Sequence, residues 1–346
     1  MVDQGRKASI FRLPTESSIL IAIAGYKIAR HVVKEEAHYM TAQIGSPTVQ
    51  ITGVRKSFGA VRAVDDVSFD VYPGEIFGML GPNGAGKTTT IRLMLDIFRP
   101  DAGKVAVFGG AMDEEKKDRI GYMPEERGMY RDQKLESTLI YFARLKGLSE
   151  AEARSRLTGW LQRLDLYDHR QKRIQDLSKG MQQKAQIIAT LVHEPDLIVI
   201  DEPFSGLDPV NTRLVKDIIE EQRQAGRTVI MSTHQMYQVE ALCNRIVLIN
   251  KGKSVLYGAV DEIKRRFAGN AVVIQGEGNF NGVDGVLDVY QRNGTWHLPL
   301  AAGVAPQEVL RTLAARQDVQ IERFEVAEAS LDDIFVMVVQ GETPDD

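Results

Sequence analysis

The sequence contains very little cysteine. Cys243 is the only one among 346 residues, so an internal disulfide is excluded and we expect a reducing compartment such as the cytoplasm. A long apolar run is also missing. A transmembrane helix needs about 20 consecutive apolar residues, whereas the stretch Ile19–Ala24 ends at Gly25, Tyr26 and Lys27. We therefore expect no membrane-spanning helix, and the sequence has no clear secretory signal.

An excess of basic residues is missing as well. The chain has 43 Lys and Arg against 47 Asp and Glu, which gives a net charge of −4. Proteins held on nucleic-acid phosphates usually carry a basic excess, so no nucleic-acid partner is expected. Hydrophobic residues make up 43% of the chain and charged residues 26%. This is the composition of a globular protein, and the length allows about two domains.

The order of local patterns divides the chain into three parts. Residues 1–46 precede the first strand pattern, and we interpret them as an N-terminal extension. Met40 stands just before that pattern, so an alternative is that the natural start lies there and residues 1–39 are not native. Residues 47–268 form the predicted main domain, with a helical subdomain over about 126–190. Residues 269–346 form a predicted accessory domain of α+β type.

Strands and helices alternate in the main domain. Short runs of branched apolar residues predict strands at Val49–Val54, Val67–Val71, Ile76–Leu80, Leu197–Ile200 and Thr228–Ser232. Strands of this kind, separated by helices, are typical of a parallel sheet with crossover connections. Apolar residues near helical spacing between Leu135 and Leu166 predict the helical subdomain.

The accessory domain is rich in predicted strands. These strands are Ala271–Gln275, Val286–Gln291, Thr295–Pro299 and Val319–Val326. Asn293-Gly294, between the second and third of them, is a strong hairpin signal. Helices are predicted to start near Pro306 and Leu331.

A glycine-rich loop follows the strand Ile76–Leu80. The segment Gly81–Thr88 matches G-x-x-x-x-G-K-[ST] and lies between a predicted strand and a predicted helix, the context this phosphate-binding motif requires. Glycines let backbone N–H groups surround phosphates at a helix N-terminus. Lys87 is then expected to reach the β- and γ-phosphates and Thr88 to hold Mg²⁺. The predicted nucleotide-binding residues here are Gly81, Pro82, Asn83, Gly84, Ala85, Gly86, Lys87, Thr88 and Thr89.

Two acids follow the buried strand Leu197–Ile200. Ligands of open α/β sheets bind at the carboxyl ends of the strands, which is where Asp201 and Glu202 lie. Asp201 is expected to hold Mg²⁺, and Glu202 to orient and deprotonate an attacking water. The alternative for this pair alone is that one acid caps the following helix.

Further motifs follow in an order that resembles the ABC ATPase family over about residues 48–260. Leu177-Ser178-Lys179-Gly180-Met181 stands where that family has its LSGGQ signature, and Ser205-Gly206-Leu207-Asp208 resembles its D-loop. His234 resembles the switch histidine, and Phe58 resembles the aromatic residue that stacks on adenine. Taken singly, Phe58 could be a core residue, His234 a loop histidine, and Ser178 with Gly180 the start of a helix.

The resemblance implies a P-loop NTPase fold of ABC type. This is an α/β fold with a mixed sheet core and a helical subdomain, here followed by the small α+β domain. It implies that two copies meet head to tail, so that Ser178 and Gly180 of one copy complete the γ-phosphate site of the other. It also implies ATP and Mg²⁺ as cofactors, catalysis by Lys87, Glu202 and His234, and a membrane permease as partner. The chain is then expected at the inner face of the cell membrane, as a peripheral cytoplasmic protein, with an identical chain as its second ABC subunit.

The sequence departs from the family pattern at two places. Glu125 aligns with the glutamine of the family's Q-loop and is expected to be a Mg²⁺ ligand or to bind water. Lys179 and Met181 replace a glycine and a glutamine of the signature. Together with the segment Ala329–Phe335 near the end of the C-terminal domain, these features are similar to those of exporter-type ATPases that extrude sodium or drugs. The alternative is a soluble ABC ATPase of translation or DNA repair, but those proteins usually carry two nucleotide domains or a coiled-coil insertion.

Overall fold

The computed structural model describes residues 45–340, except 127, 268–269, 293, 302 and 328. The predicted extension 1–46, and the alternative start at Met40, therefore fall outside the described residues apart from Gly45 and Ser46. Within the described part the chain forms thirteen β-strands and ten α-helices. None of these helices is both long enough and apolar enough to cross a membrane.

A three-stranded antiparallel sheet opens the fold, in the order β2-β1-β4. Its strands are β1 (Val49–Phe58), β2 (Val61–Val71) and β4 (Ala102–Val107). The predicted strands at the start of the main domain are confirmed and are longer than expected, because the β1–β2 hairpin continues to Phe58. This hairpin places Phe58 at its exposed end.

A six-stranded mixed sheet forms the centre of the main domain, in the order β5-β6-β7-β3-β8-β9. Its strands are β3 (Ile76–Leu80), β5 (Ile120–Met123), β6 (Leu197–Asp201), β7 (Thr228–Thr233), β8 (Arg245–Asn250) and β9 (Lys253–Ala259). All neighbours pair in parallel except β8 with β9. Every residue of β3, β6 and β7 is buried, which explains their nearly continuous apolar sequences. The predicted mixed sheet is confirmed.

Helices cover this sheet. They are α1 (Lys87–Met94), α2 (Glu114–Asp118), α6 (Pro209–Gln224), α7 (Met236–Leu242) and α8 (Val260–Phe267). The start of α6 is set by Asp208, whose side chain accepts a hydrogen bond from the Asn211 amide, and by Pro209 at the first helical position. The parallel strands and their connecting helices bring the ends of β3, β6 and β7 to one edge of the sheet.

The helical pattern predicted between Leu135 and Leu166 is confirmed as α3 (Leu135–Leu145) and α4 (Glu150–Arg163), and α5 (Lys179–Leu191) follows them. Ser149 and Glu152 form a reciprocal capping box that starts α4. Leu139, Leu157 and Leu161 are buried between the helices. Leu145, although it follows the same spacing, is 59% exposed.

A four-stranded antiparallel sheet follows, in the order β11-β12-β10-β13. The elements of this region are β10 (Ala271–Gly278), β11 (Tyr290–Arg292), β12 (Thr295–Pro299), α9 (Pro306–Ala314), β13 (Val319–Val326) and α10 (Leu331–Gln340). β11 and β12 pair as the predicted hairpin, although Asn293 in its turn is outside the described residues.

The predicted strand Val286–Gln291 is wrong over most of its length. Val286 forms only an isolated bridge with Leu300, and β11 begins at Tyr290. Gly285 has a φ of +82° and the Val286 amide bonds back to Val283, so the chain turns here. Val286 and Val289 pack on the same small core. A spacing of three residues puts both on one side, which a strand cannot do.

Candidate active site

The glycine-rich loop leaves the carboxyl end of β3 and enters α1. Gly81 and Gly86 have φ values of +145° and +109°, in the region that favours glycine. A Cβ at Gly81 would lie 2.1 Å from the Ile249 carbonyl oxygen, and one at Gly86 2.5 Å from that of Ala63. No side chain fits at either position. The backbone therefore forms a tight cradle at a helix N-terminus, which suits a phosphate chain.

Lys87 points back into this cradle. Its Nζ donates to the carbonyl oxygens of Gly81, at 2.7 Å, and Pro82, at 3.2 Å. Burial lowers the pKa of Lys87, while the nearby carboxylates of Glu202, Asp201 and Glu125 raise it. The loop carbonyls thus hold a cation at the place where the sequence predicts a β- or γ-phosphate.

Asp201 lies at the end of β6 and meets the start of α1. The Thr88 hydroxyl donates to Asp201 Oδ2 at 2.9 Å, and the Ser232 hydroxyl donates to Asp201 Oδ1. A hydroxyl and a carboxylate oxygen side by side suit Mg²⁺. Among the described residues no group of three or more His, Cys, Asp and Glu side chains could hold a metal ion. Nucleotide phosphates and water would therefore have to complete the coordination of a Mg²⁺ ion here.

The Glu202 carboxylate is held by three donors from the end of β7. The Thr233 hydroxyl donates to Oε2 at 3.2 Å, and the His234 amide and ring Nδ1–H donate to Oε1 at 3.1 and 2.8 Å. The backbone of Glu202 has a φ of +52°, unusual for a residue with a side chain. The alternative that one of the acids caps the next helix is wrong, since Asp208 caps α6.

Ser232 ends the predicted strand Thr228–Ser232 and Thr233 follows it, and neither was predicted as a site residue. They were missed although a signal was present, because hydroxyl residues that end a buried apolar strand lie at the edge where ligands bind. Each hydroxyl fixes one of the two acids. Gln183 was also missed: its Nε2 donates to the Pro203 carbonyl oxygen at 3.2 Å and joins α5 to the catalytic segment.

Phe58 lies at the exposed end of the β1–β2 hairpin. Its side chain is 45% exposed, so the alternative that it is a core residue is wrong. Its ring is supported edge-on by Phe98 at 5.3 Å, and Lys56 Nζ lies 5.7 Å from its centroid. A fixed, accessible aromatic face suits stacking of a purine base, and adenine stacking by Phe58 stays a prediction.

Ser178 caps α5. Its hydroxyl accepts from the Met181 amide at 3.2 Å, so this segment does begin a helix. Ser178 and Lys179 are exposed at that helix end. A Cβ at Gly180 would come no nearer to its described surroundings than 4.0 Å, from Leu207 Cδ2. Packing within the described chain therefore gives no reason for a glycine here.

A cavity of about 230 Å³ lies beside Pro124 and Gly128, between α3 and α5. Buried Gln186 donates its Nε2 to the Glu126 carbonyl oxygen, while its Oε1 has no partner. His193 Nε2 lies 3.2 Å from the Ile120 carbonyl oxygen and therefore carries the proton. Burial and the nearby Lys146 lower the pKa of His193 to about 4. At neutral pH its buried Nδ1 is thus an acceptor that has no hydrogen-bond partner among the described residues.

The burial of His193 should make the free energy of unfolding depend on pH. Unfolded histidine takes up a proton near pH 6.5, whereas the folded ring does so at about pH 4. The unfolded state therefore binds more protons between these values, and the free energy of unfolding should fall as pH drops through this window, at up to roughly 1.4 kcal/mol per pH unit. Urea titrations from pH 7 to 4 should show a shallower fall for His193→Gln. An equal slope of unfolding free energy against pH in the native chain and His193→Gln would contradict this prediction. His297→Gln, at a half-exposed histidine, is the control and should keep the native slope.

Comparisons with known proteins agree with this arrangement. A family model described as ABC transporter matches residues 64–205, and one described as ATP-binding protein DrrA1-3-like, C-terminal domain, matches residues 258–339. The chain is 45% identical over 222 residues to an ABC transporter ATP-binding protein of Methanocaldococcus jannaschii, covering 64% of this chain and 81% of that one. It is 36% identical over 214 residues to Nod factor export ATP-binding protein I of Paraburkholderia xenovorans, covering 61% and 70%.

A solved structure of an ATP-binding subunit of an ABC transporter is also similar. Its TM-score is 0.60 at 32% identity, and the match covers 64% of this chain and 93% of the solved one. The region matched by the ABC transporter family model, residues 64–205, includes both the glycine-rich loop and the acids Asp201 and Glu202.

Proposed function

This chain belongs to the family of ABC transporter ATP-binding proteins, and from that premise we propose that two copies hydrolyse ATP head to tail and power export through a separate membrane permease. Binding and hydrolysis of ATP follow from family membership. The observation that carries the catalytic proposal is the Glu202 carboxylate, held by three donors next to the phosphate loop.

Glu202 is the proposed general base. A base must be held so that its free lone pairs face the attacking water. The three donors engage both oxygens of the carboxylate and fix its orientation, and each oxygen keeps lone-pair capacity for a further hydrogen bond. His234 donates from both backbone and ring, so a shift of this residue would change the base directly. We therefore assign His234 to orienting Glu202.

Thr88 and Asp201 would hold Mg²⁺, with Glu125 as a further proposed oxygen ligand. The ion would neutralise charge that develops on the β- and γ-phosphates. Lys87 adds a second cation from within the cradle. Its two carbonyl contacts keep the ammonium in place before phosphate arrives, so less reorganisation is needed when the reaction begins.

Ser178 and Gly180 are proposed to act on the nucleotide of the partner copy. Ser178 and Lys179 are exposed at the start of α5. A helix N-terminus of this kind attracts anions. Since Gly180 has open space around it within its own chain, we attribute the glycine to close approach of a γ-phosphate bound to the other copy.

Export is the proposed direction of transport. The relative from Paraburkholderia xenovorans is named an export protein, and this chain spans 70% of it. The match at residues 258–339 to the C-terminal domain of DrrA1-3-like proteins extends the similarity beyond the ATP-binding domain. No observation favours a soluble role in translation or DNA repair, so that alternative is not retained.

The permease is proposed to dock beside the cavity between α3 and α5. Tyr130 and Tyr141 are 54% and 45% exposed and pack around Phe142, and Leu145 is 59% exposed. Apolar side chains in this number at the surface mark an interaction site. Docking there would place this chain at the inner face of the membrane.

Leu145→Asp should separate docking from ATP chemistry. The native chain is purified from its own cells with detergent-solubilised membranes, and the integral membrane protein that accompanies it is quantified. We expect Leu145→Asp to lower its recovery at least about tenfold, as for a central interface residue, while ATP binding is unchanged. Leu287→Asp, at a residue that is 70% exposed in the accessory domain, is the matched control. Recovery of soluble proteins alone would overturn the transport proposal.

A further inference from the structure

The helix that follows the switch histidine is held by the C-terminal part of the chain. α7 begins at Met236, two residues after His234. One buried cluster joins α7 to α8 and to α10, through Met236, Val239, Val260, Ile263, Phe267, Leu331 and Ile334. Both α8 and α10 lie within residues 258–339, the region that matches the C-terminal domain model. α7 is therefore packed against the first helix and the last helix of this C-terminal region, residues 258–339.

Glu240 of α7 makes the polar part of this contact. Its Oε1 accepts a hydrogen bond from the Leu331 amide, the first N–H of α10, at 2.5 Å. Its Oε2 lies 3.6 Å from Lys264 Nζ of α8. The Glu240 and Lys264 side chains are only 27% and 19% exposed, so water screens this pair less than a surface pair. A carboxylate at the N-terminus of α10 is also favoured by the helix dipole.

α7 depends on such contacts for its position. It has seven residues, and a helix this short is not stable without tertiary packing. The His234 side chain is 51% exposed, so packing by neighbouring side chains contributes little to its position. Its amide and ring are placed against Glu202 by the backbone that joins the end of β7 to the start of α7. A displacement of α7 would therefore reach the catalytic carboxylate within a few residues.

We infer that Glu240 is a positioning residue for ATP hydrolysis: by holding α7 against α8 and α10, it lets the C-terminal region, residues 258–339, set how firmly His234 holds Glu202. The inference rests on the proposed function, since it concerns the rate of that reaction. The C-terminal region, residues 258–339, would then affect the rate of turnover through α7 alone. The nucleotide cradle lies elsewhere on the sheet edge, so affinity for ATP should not change.

The test compares Glu240→Ala with Glu240→Gln in the full chain. The alanine variant removes the acceptor and the charge, and we expect kcat to fall roughly three- to tenfold with KM for ATP unchanged. Glutamine keeps an acceptor oxygen for the Leu331 amide and should stay within about twofold of the native rate. Exposed Glu262→Ala, on the first turn of α8, is the matched control and should have the native kcat.

A double-mutant cycle with His234→Ala distinguishes positioning of His234 by Glu240 from a general loss of folding. If Glu240 acts through His234, Glu240→Ala should lower kcat no further in a His234→Ala chain. A native rate for Glu240→Ala, or an equal loss in both backgrounds, would overturn the inference. The proposed function fails differently: a native chain that dimerises with ATP but releases no phosphate would reject hydrolysis itself, whatever Glu240 does.

Discussion

Glu202→Gln is expected to lower the rate of ATP turnover by about 10²–10⁴-fold, while ATP binding persists. The amide has the shape of the carboxylate and keeps an oxygen for the His234 amide, so the local fold should survive. What it loses is the ability to take a proton from water. Because ATP is then not converted to ADP, the γ-phosphate that bridges the two copies in the proposed dimer stays in place. The variant should therefore accumulate as an ATP-bound dimer.

The measurement combines phosphate release with size-exclusion chromatography in the presence of ATP and Mg²⁺. The native chain should hydrolyse slowly and dimerise transiently, and Glu115→Gln, at an exposed residue of α2, should behave like it. Native turnover by Glu202→Gln would mean that another group is the base. Loss of turnover without a stable dimer would support Glu202 as the base but contradict the head-to-tail assembly.

The glycine-rich loop shows what could be predicted from sequence. The motif, the apolar strand before it and the helix after it are local, and each leaves its own pattern. The predicted strand Ile76–Leu80 and the helix at Lys87 are confirmed. The same holds for β6 and its two acids, since burial on both faces gives a continuous apolar run that ends where the polar site begins.

The supports of the acids could not be predicted in the same way. Thr233 and His234 lie 31 and 32 residues from Glu202 in sequence, and only the pairing of β6 with β7 brings them together. The contact from Gln183 to Pro203 spans 20 residues and has no periodic signal. Patterns within one element predict burial, but contacts between elements depend on register and packing.

For Leu145 the sequence pattern predicted burial where the structure shows exposure. Its spacing is that of a core residue, yet it is 59% exposed. Periodicity reports that a face is apolar and does not report what covers it. Here the structure leaves the face open beside the cavity, and the proposed cover is another protein.

Two inactive variants should restore hydrolysis when they are mixed. Lys87→Met keeps the apolar stem but removes the ammonium from the cradle, and a loss of about 10²–10³-fold is expected. In the proposed dimer, Gly180→Glu places a carboxylate opposite the γ-phosphate of the other copy. It should fold normally, since the nearest atom to its Cβ is 4.0 Å away and an acid is favoured in the first turn of a helix.

The mixture tests the head-to-tail site because each heterodimer combines both defects in one site and leaves the other intact. Random pairing of equal amounts makes about half of the dimers mixed, with one working site of two, so about a quarter of the native sites should return. If each chain completed its own site, mixing would restore nothing, since every site would keep its own defect. Phosphate release at a fixed total concentration, measured for each variant and for the mixture, therefore distinguishes a shared site from two separate ones.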